Sequence, residues 1–322
     1  MLTLDLYDRI KLRLVPRVQQ VIADGFLRFD YRNVDVQVEG TENIPKGPVI
    51  YAMNHTDNFN YWPFQYKLHR LFRRYTATWV KGKNYEGFIS SQFMRATNNI
   101  PLASRGYVIT RDFVDTVGRM PSDDEYRSLR DAVDNQEPIV GVVPELIRKS
   151  SRDMLGRRFR PEAESYETAV DAVVAEMMSR FVGMNRRCLD MGLDVLVFPQ
   201  GTRSRRLSRG HIGLAQVALH LGATIVPVGC SGSDEIYTSR SILSKPGKVV
   251  YRIGKPIPAE HWSEVAPSSF VPFDREDEAK HREAFEHVVG EVMLKINELV
   301  DEPYRFSADG ESEGTSGSDR FV

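Results

Sequence analysis

The sequence is poor in cysteine: Cys188 and Cys230 are the only two among 322 residues. Two thiols so far apart provide neither a disulfide framework nor a cysteine zinc site, and they suit a reducing compartment, with the cytoplasm as the default expectation. An excess of charge is missing as well. Lysine and arginine total 43 against 44 aspartates and glutamates, a formal net charge of -1, so the chain lacks the basic surplus of a protein that coats nucleic acid. No run of about 18 predominantly apolar residues occurs, and no spanning helix is expected. Asp5, Asp8 and Arg9 interrupt the place where a secretory signal needs an apolar stretch. No P-loop and no G-x-G-x-x-G fingerprint is present, and no G-x-S-x-G elbow stands in the strand-to-helix setting that a serine hydrolase needs. His211 and His220 are nine apart, the wrong spacing for two ligands on one helical face, and no metal is expected.

What is there, 41% hydrophobic and 27% charged residues, is enough to bury a full core. Residues 34–40, VDVQVEG, alternate apolar and polar as a half-buried strand does, and residues 49–53, VIYAM, read as a buried strand that ends near His55. TATWV, residues 193–198, residues 224–228 and residues 249–253 read as further strands, with helical stretches near 64–73 and 209–221 between them. This alternation predicts an α/β fold whose mixed, largely parallel sheet is flanked by helices. Residues 1–30 form a separate N-terminal part: apolar positions from Leu6 to Phe26 recur at helical spacing, predicting an amphipathic helix over residues 4–26, interrupted at Pro16 and either packed on the domain or lying on anionic lipid. The α/β domain is expected over residues 31–305, with a mostly helical insertion at about 121–190 and a long amphipathic helix over 274–300. Residues 306–322 are rich in Gly, Ser and acids and are expected to be a disordered tail.

Four pieces stand in a recognisable order: NHTDNFN with His55, ASRGYVITR with Gly106 and Arg111, FPQGTRS over residues 198–204, and IVPV over 225–228. Together they resemble the four blocks of the glycerolipid acyltransferase family, the 1-acylglycerol-3-phosphate acyltransferase-like proteins, and matching pieces span residues 34–258. A histidine takes a proton near neutral pH, and at a strand end beside a hydroxyl it serves as a general base. The resemblance implies that His55 deprotonates a glycerol hydroxyl, which attacks an acyl thioester and expels the thiol without an acyl-enzyme. The family pattern places an aspartate five residues after the histidine to orient the imidazole, whereas this chain has Asn60. In a serine protease triad the same exchange costs about 10⁴ in turnover through the wrong tautomer. Three readings stand open: Asp57 provides the carboxylate, Asn60 holds the ring by a neutral hydrogen bond, or the site is impaired.

In FPQGTRS, Gly201 lets backbone approach a ligand, Thr202 offers a hydroxyl, and Arg203 has a donor fork suited to phosphate oxygens. The resemblance implies that this loop holds the acceptor's phosphate, with Lys81 and Arg111 adding positive charge. Gln200 stands where the family usually has Glu. Basic clusters at Arg203, Arg205, Arg206 and Arg209 and at 148–160 suit an anionic membrane surface, while RNA is disfavoured because aromatics are not regularly interleaved with them.

The function expected is therefore acyl transfer from acyl-CoA or acyl-ACP to a lysophospholipid hydroxyl, most specifically 1-acylglycerol-3-phosphate. No cofactor beyond the donor is expected, and the enzyme is expected to be peripheral to the inner face of a membrane. The alternatives are a non-catalytic lipid-binding relative, to which Asn60 and Gln200 point, and an acyltransferase for glycerol-3-phosphate or a glycolipid.

Overall fold

The computed structural model of the protein describes residues 1–238 and 241–306. Its first half runs α1 (Leu4–Arg9), α2 (Arg17–Val21), a π-helical turn (Ile22–Leu27), α3 (Arg28–Asp30), β1 (Val34–Glu39), β2 (Ile50–Met53), α4 (Trp62–Phe72), β3 (Thr76–Lys81), α5 (Phe88–Ala96), β4 (Asn99–Leu102) and α6 (Arg105–Val117). Then come α7 (Asp123–Asn135), α8 (Glu145–Lys149), β5 (Arg152–Met154), β6 (Arg157–Phe159), α9 (Tyr166–Asp190), β7 (Asp194–Val197) and α10 (Gly213–Leu221). The chain ends with β8 (Ile225–Ser231), α11 (Ser233–Ile236), β9 (Gly247–Ile253), α12 (Arg275–Lys280) and α13 (Arg282–Leu299).

Seven strands form one sheet in the order β1-β9-β8-β2-β7-β3-β4. Its central strands are short and apolar on both faces because helices cover both sides. In β2, Ile50 and Ala52 pack into the core beneath α6, α9, α10 and α13, while Tyr51 and Met53 pack with Phe64 and Leu68 of α4 and with Leu27 and Tyr31 on the opposite face. Strands β8, β2, β7, β3 and β4 run parallel; β9 is antiparallel to β8, and β1 pairs in parallel with β9. The expected mixed, largely parallel α/β sheet is what forms. Its parallel strands all deliver their C-terminal ends to one edge, where open α/β sheets hold their chemistry. A deep ion pair fixes β7 at its start: Arg74 engages the buried Asp194 and also donates to the carbonyls of Pro45 and Gly47.

Several local expectations need correction. The N-terminal helix over 4–26 is not continuous. It breaks between Ile10 and Pro16, and its first turns dock on the body: Leu2, Leu4, Tyr7 and Ile10 are buried, and the Tyr7 hydroxyl donates to Pro101 O at 2.9 Å. Within the insertion, expected to be mostly helical, Arg152–Phe159 form a hairpin whose turn puts Leu155 and Gly156 at φ of 52° and 98°, the positive values that a tight hairpin requires. Leu4 N–H donates to Leu155 O at 2.9 Å, so this turn is the anchor of the N-terminal segment. Strand β4 escapes the sequence pattern because Pro101 interrupts it; such a strand is tolerated at a sheet edge, which is where it lies. The long helix over 274–300 is two helices meeting at His281, where φ of -113° and ψ of 15° leave the helical range, and Asp274 caps the start of the first with bonds from Glu276 and Asp277 N–H. Phe306, assigned to the tail, is held by Asn297 Oδ1 at 2.9 Å and bridges to Leu207; residues 307–322 lie outside the described residues. Among the described residues no helix is long and apolar enough to cross a membrane.

Candidate active site

Strand β2 ends at Met53, and the two residues that follow set the site. Asn54 is buried and staples β2 to β8: its Nδ2 donates to Cys230 O at 2.9 Å and its Oδ1 accepts from Cys230 N–H at 2.7 Å. His55 comes next, with its ring stacked on Phe198, the residue that leaves the neighbouring strand β7, at 4.1 Å between centroids and 15° between planes. Two hydrogen bonds join the same two segments in both directions. His55 N–H donates to Gln200 Oε1 at 3.1 Å, and Ser204 N–H donates to His55 O at 2.9 Å. The His block and the FPQGTR loop are thus one unit.

The imidazole is oriented by Asn60, whose Oδ1 lies 3.2 Å from His55 Nδ1. Asn60 Nδ2 donates to the Asn54 carbonyl at 2.7 Å, and its own carbonyl accepts from the Tyr251 hydroxyl at 2.6 Å. Because the Asn54 carbonyl requires a donor, the amide nitrogen must face it and the amide oxygen must face the ring. His55 Nδ1 then carries the proton and Nε2 keeps its lone pair, the tautomer a general base needs. The loss seen when Asn replaces the triad aspartate comes from the opposite amide orientation, which the Asn54 carbonyl prevents here. Asp57, the alternative orienting carboxylate, instead accepts from Phe59 N–H at 2.7 Å and Thr56 Oγ1 at 2.9 Å. Burial pushes His55 down to about 3; the Asn60 bond opposes this, and the charges of Arg203 and Lys81 add to it. The ring is a neutral base throughout the physiological range.

The loop after β7 turns at Gly201, where φ is +67° and an added Cβ would stand 2.7 Å from His211 Cδ2. Arg203 is exposed and donates to Asn58 Oδ1, which brings it back over the His block. Gln200, grouped with the substrate-binding residues in the sequence, is 2% exposed and braces the loop from within, donating to Arg206 O at 3.3 Å and Ser208 Oγ at 3.4 Å while holding His55 N–H. A cleft of about 560 Å³ opens beside the loop; Lys81, Gly201, Thr202 and His211 line it, with Arg105 and Arg130 from the helices beyond. Arg111 is not brought to this cleft. It lies two turns into α6, where Asp115 at 2.9 Å and Glu86 at 3.7 Å hold it; Arg105 at the start of the same helix lines the cleft, paired with Asp171 at 2.9 Å.

The family model for acyltransferases matches residues 35–231, more than half of the chain and all of the residues just described except those beyond β8. The chain belongs to the acyltransferase family. No curated protein matches it. Among solved structures it is similar to the crystal structure of the 1-acyl-sn-glycerophosphate (LPA) acyltransferase PlsC from Thermotoga maritima, with 17% identity, coverage of 89% of this chain and 86% of that one, and a TM-score of 0.40.

Sequence reasoning misses several parts of this acyltransferase's site. Phe198 reads only as the end of a strand, yet its ring forms one wall of the histidine's pocket. Asn54 and Tyr251 do not stand out in the sequence, and they are what make Asn60 rigid. The N-H dipeptide at the end of an apolar run is a usable signal for Asn54; nothing in the local sequence points to Tyr251, which comes from a strand 191 residues away from Asn60. In this acyltransferase a second, narrow slot runs between the π-helical turn and α4, lined by Ile22, Leu27, Tyr61, Trp62 and Phe93 among others. Tyr61 lies 6.1 Å from the Phe198 ring, so the slot ends next to the histidine pocket.

Proposed function

We propose that this acyltransferase moves a fatty acyl group from a CoA or acyl-carrier-protein thioester to the hydroxyl of a lysophospholipid, with 1-acylglycerol-3-phosphate as the preferred acceptor. The observation that carries this reading is the His55–Asn60–Asn54 chain, which leaves a neutral imidazole with its basic nitrogen available beside an arginine-bearing loop. His55 Nε2 takes the acceptor's hydroxyl proton as the oxygen bonds to the thioester carbonyl carbon. The tetrahedral intermediate then collapses, the carbon–sulfur bond breaks, and the thiolate recovers the proton from the imidazolium, giving ester and free thiol. Arg203 offers its guanidinium to the acceptor's phosphate.

An acceptor panel tests this reading. Thiol release from an acyl thioester is measured with 1-acylglycerol-3-phosphate, monoacylglycerol, glycerol-3-phosphate and a glycolipid. The phosphate-bearing lysolipid is expected to be preferred, and Arg203→Ala is expected to lower kcat/KM for it by about 10- to 100-fold, the worth of one charge-assisted contact. Equal use of monoacylglycerol, or preference for another acceptor in the panel, would replace the proposed substrate. Absence of thiol release with any acceptor would favour the non-catalytic lipid-binding relative.

A further inference from the structure

Helix α5 presents to solvent a face that a water-soluble surface seldom carries. Phe88 is 80% exposed and Ile89 84%, and Gln92 and Phe93 one turn later are exposed too. The helix begins straight after the turn that follows Lys81, so this face belongs to the edge of the sheet that holds the site. The broken N-terminal segment runs alongside. A shallow depression of about 280 Å³ lies between them, with Gln92, Arg95 and Ala96 of α5 on one side and Arg9, Lys11, Arg13 and Arg17 on the other. The same segment exposes Leu14, Val15, Val18 and Val21, the last at 72%. Positions 88, 89, 92 and 96 lie on one side of a helix, so the apolar tip and the cationic depression form a continuous surface.

We propose that this surface, α5 together with residues 9–21, is where the protein docks on an anionic lipid bilayer. Exposed aromatic and aliphatic side chains enter the boundary between headgroups and acyl chains, and the cations around them meet the lipid phosphates. Near an anionic surface each cation multiplies partitioning by roughly fivefold, so four or five of them decide between bound and free. The surface also bears on how substrate arrives. Phe93 stands at its flank and lines the narrow slot that ends beside the histidine pocket, so docking through this face brings a bilayer-borne acceptor close to the site. This last step rests on the acyl-transfer reading; the docking does not.

The test is flotation of the full chain with vesicles of phosphatidylcholine alone and with one-quarter phosphatidylglycerol. The wild type is expected to float with the anionic vesicles and to lose binding in high salt. Phe88→Asp with Ile89→Asp, and separately Arg13→Glu with Arg17→Glu, are expected to reduce bound protein at least 10-fold, while Val140→Asp on a distant exposed loop leaves it unchanged. All of these positions are solvent-facing, and an unaltered thermal melt shows that the variants are folded. Transfer to a short-chain, monomeric acceptor is read on the same samples: the Phe88/Ile89 variant is expected to keep it while losing transfer to vesicle-borne acceptor. Wild-type protein that floats with neither vesicle, or a Phe88/Ile89 variant that floats like wild type, overturns the docking face. Flotation without transfer from any donor would retain the docking face and remove the acyl-transfer reading.

Discussion

At the scale of the residue, the amide of Asn60 contacts His55 Nδ1 at 3.2 Å where the family pattern has a carboxylate. It supplies direction without charge, and this has consequences for pH. Because burial holds His55 at about 3 in the folded protein, against about 6.5 in an unfolded chain, the unfolded state takes up a proton that the native state refuses. His55 therefore works against stability as pH falls from about 6.5 towards 3, and its contribution is undiminished above that window. Activity that needs the neutral ring is expected to persist well below pH 6. Asn60→Asp places a negative charge beside Nδ1, so the acid limb of the kcat/KM profile is expected to move to higher pH; a profile identical to wild type would show that Asn60 does not contact the working ring. The same substitution removes the donor to the Asn54 carbonyl and is expected to cost about 1–2 kcal/mol in a denaturant titration. Gly201→Ala forces a side chain into a positive-φ turn against His211. It is expected to lower kcat/KM by at least 10-fold as the loop shifts, with a smaller loss in Tm; unchanged kinetics would separate the turn from the site.

At the scale of the element, the strands are readable where burial is two-sided and unreadable where it is not. The apolar runs of β2, β7 and β8 announce themselves because nothing polar is tolerated on either face. Edge strand β4 hides behind Pro101, and the β5–β6 hairpin is only three residues a side with charged residues at more than half of its positions. The N-terminal stripe predicts a helix interrupted at Pro16; the chain leaves the helix earlier, after Arg9, packs its first turns on the core and leaves 14, 15, 18 and 21 outside, a division that depends on the hairpin it meets. Gly156→Val would press a side chain on Leu4, since a Cβ at this position stands 3.2 Å from the Leu4 Cβ, at a φ that valine resists. A loss of about 2 kcal/mol or more in unfolding free energy is expected, with the first turns becoming susceptible to protease. Asp194→Ala, which leaves the Arg74 guanidinium half-buried without its partner, is expected to cost about 3–5 kcal/mol, measured by urea titration; a cost below about 1 kcal/mol, the range of an exposed pair, would show that β7 is fixed by its strand neighbours alone.

At the scale of the whole molecule, a single topological fact assembles the site: the parallel strands β2, β7, β3 and β4 end on one edge, carrying His55, the 198–204 loop, Lys81 and Arg105 to it in turn. The His block and the FPQGTR loop are legible in the sequence because each keeps its chemistry within a few consecutive residues. The partner of the histidine stays undecided there between Asp57 and Asn60, since the choice depends on carbonyl and hydroxyl groups from β2 and β9 that only folding brings near. Arg111, expected near the loop, does not line the cleft, whereas Arg105 at the helix start does; the spacing of basic residues in the sequence does not tell which of them faces it. The near-zero net charge likewise conceals a cationic depression on one side of the molecule.

The most direct test of the account is thiol release from an acyl-CoA in the presence of 1-acylglycerol-3-phosphate, comparing wild type with His55→Ala at matched folded concentration. Loss of about 10²–10⁴ in kcat is predicted for the variant, the usual worth of a positioned general base, and wild-type turnover in His55→Ala would contradict it.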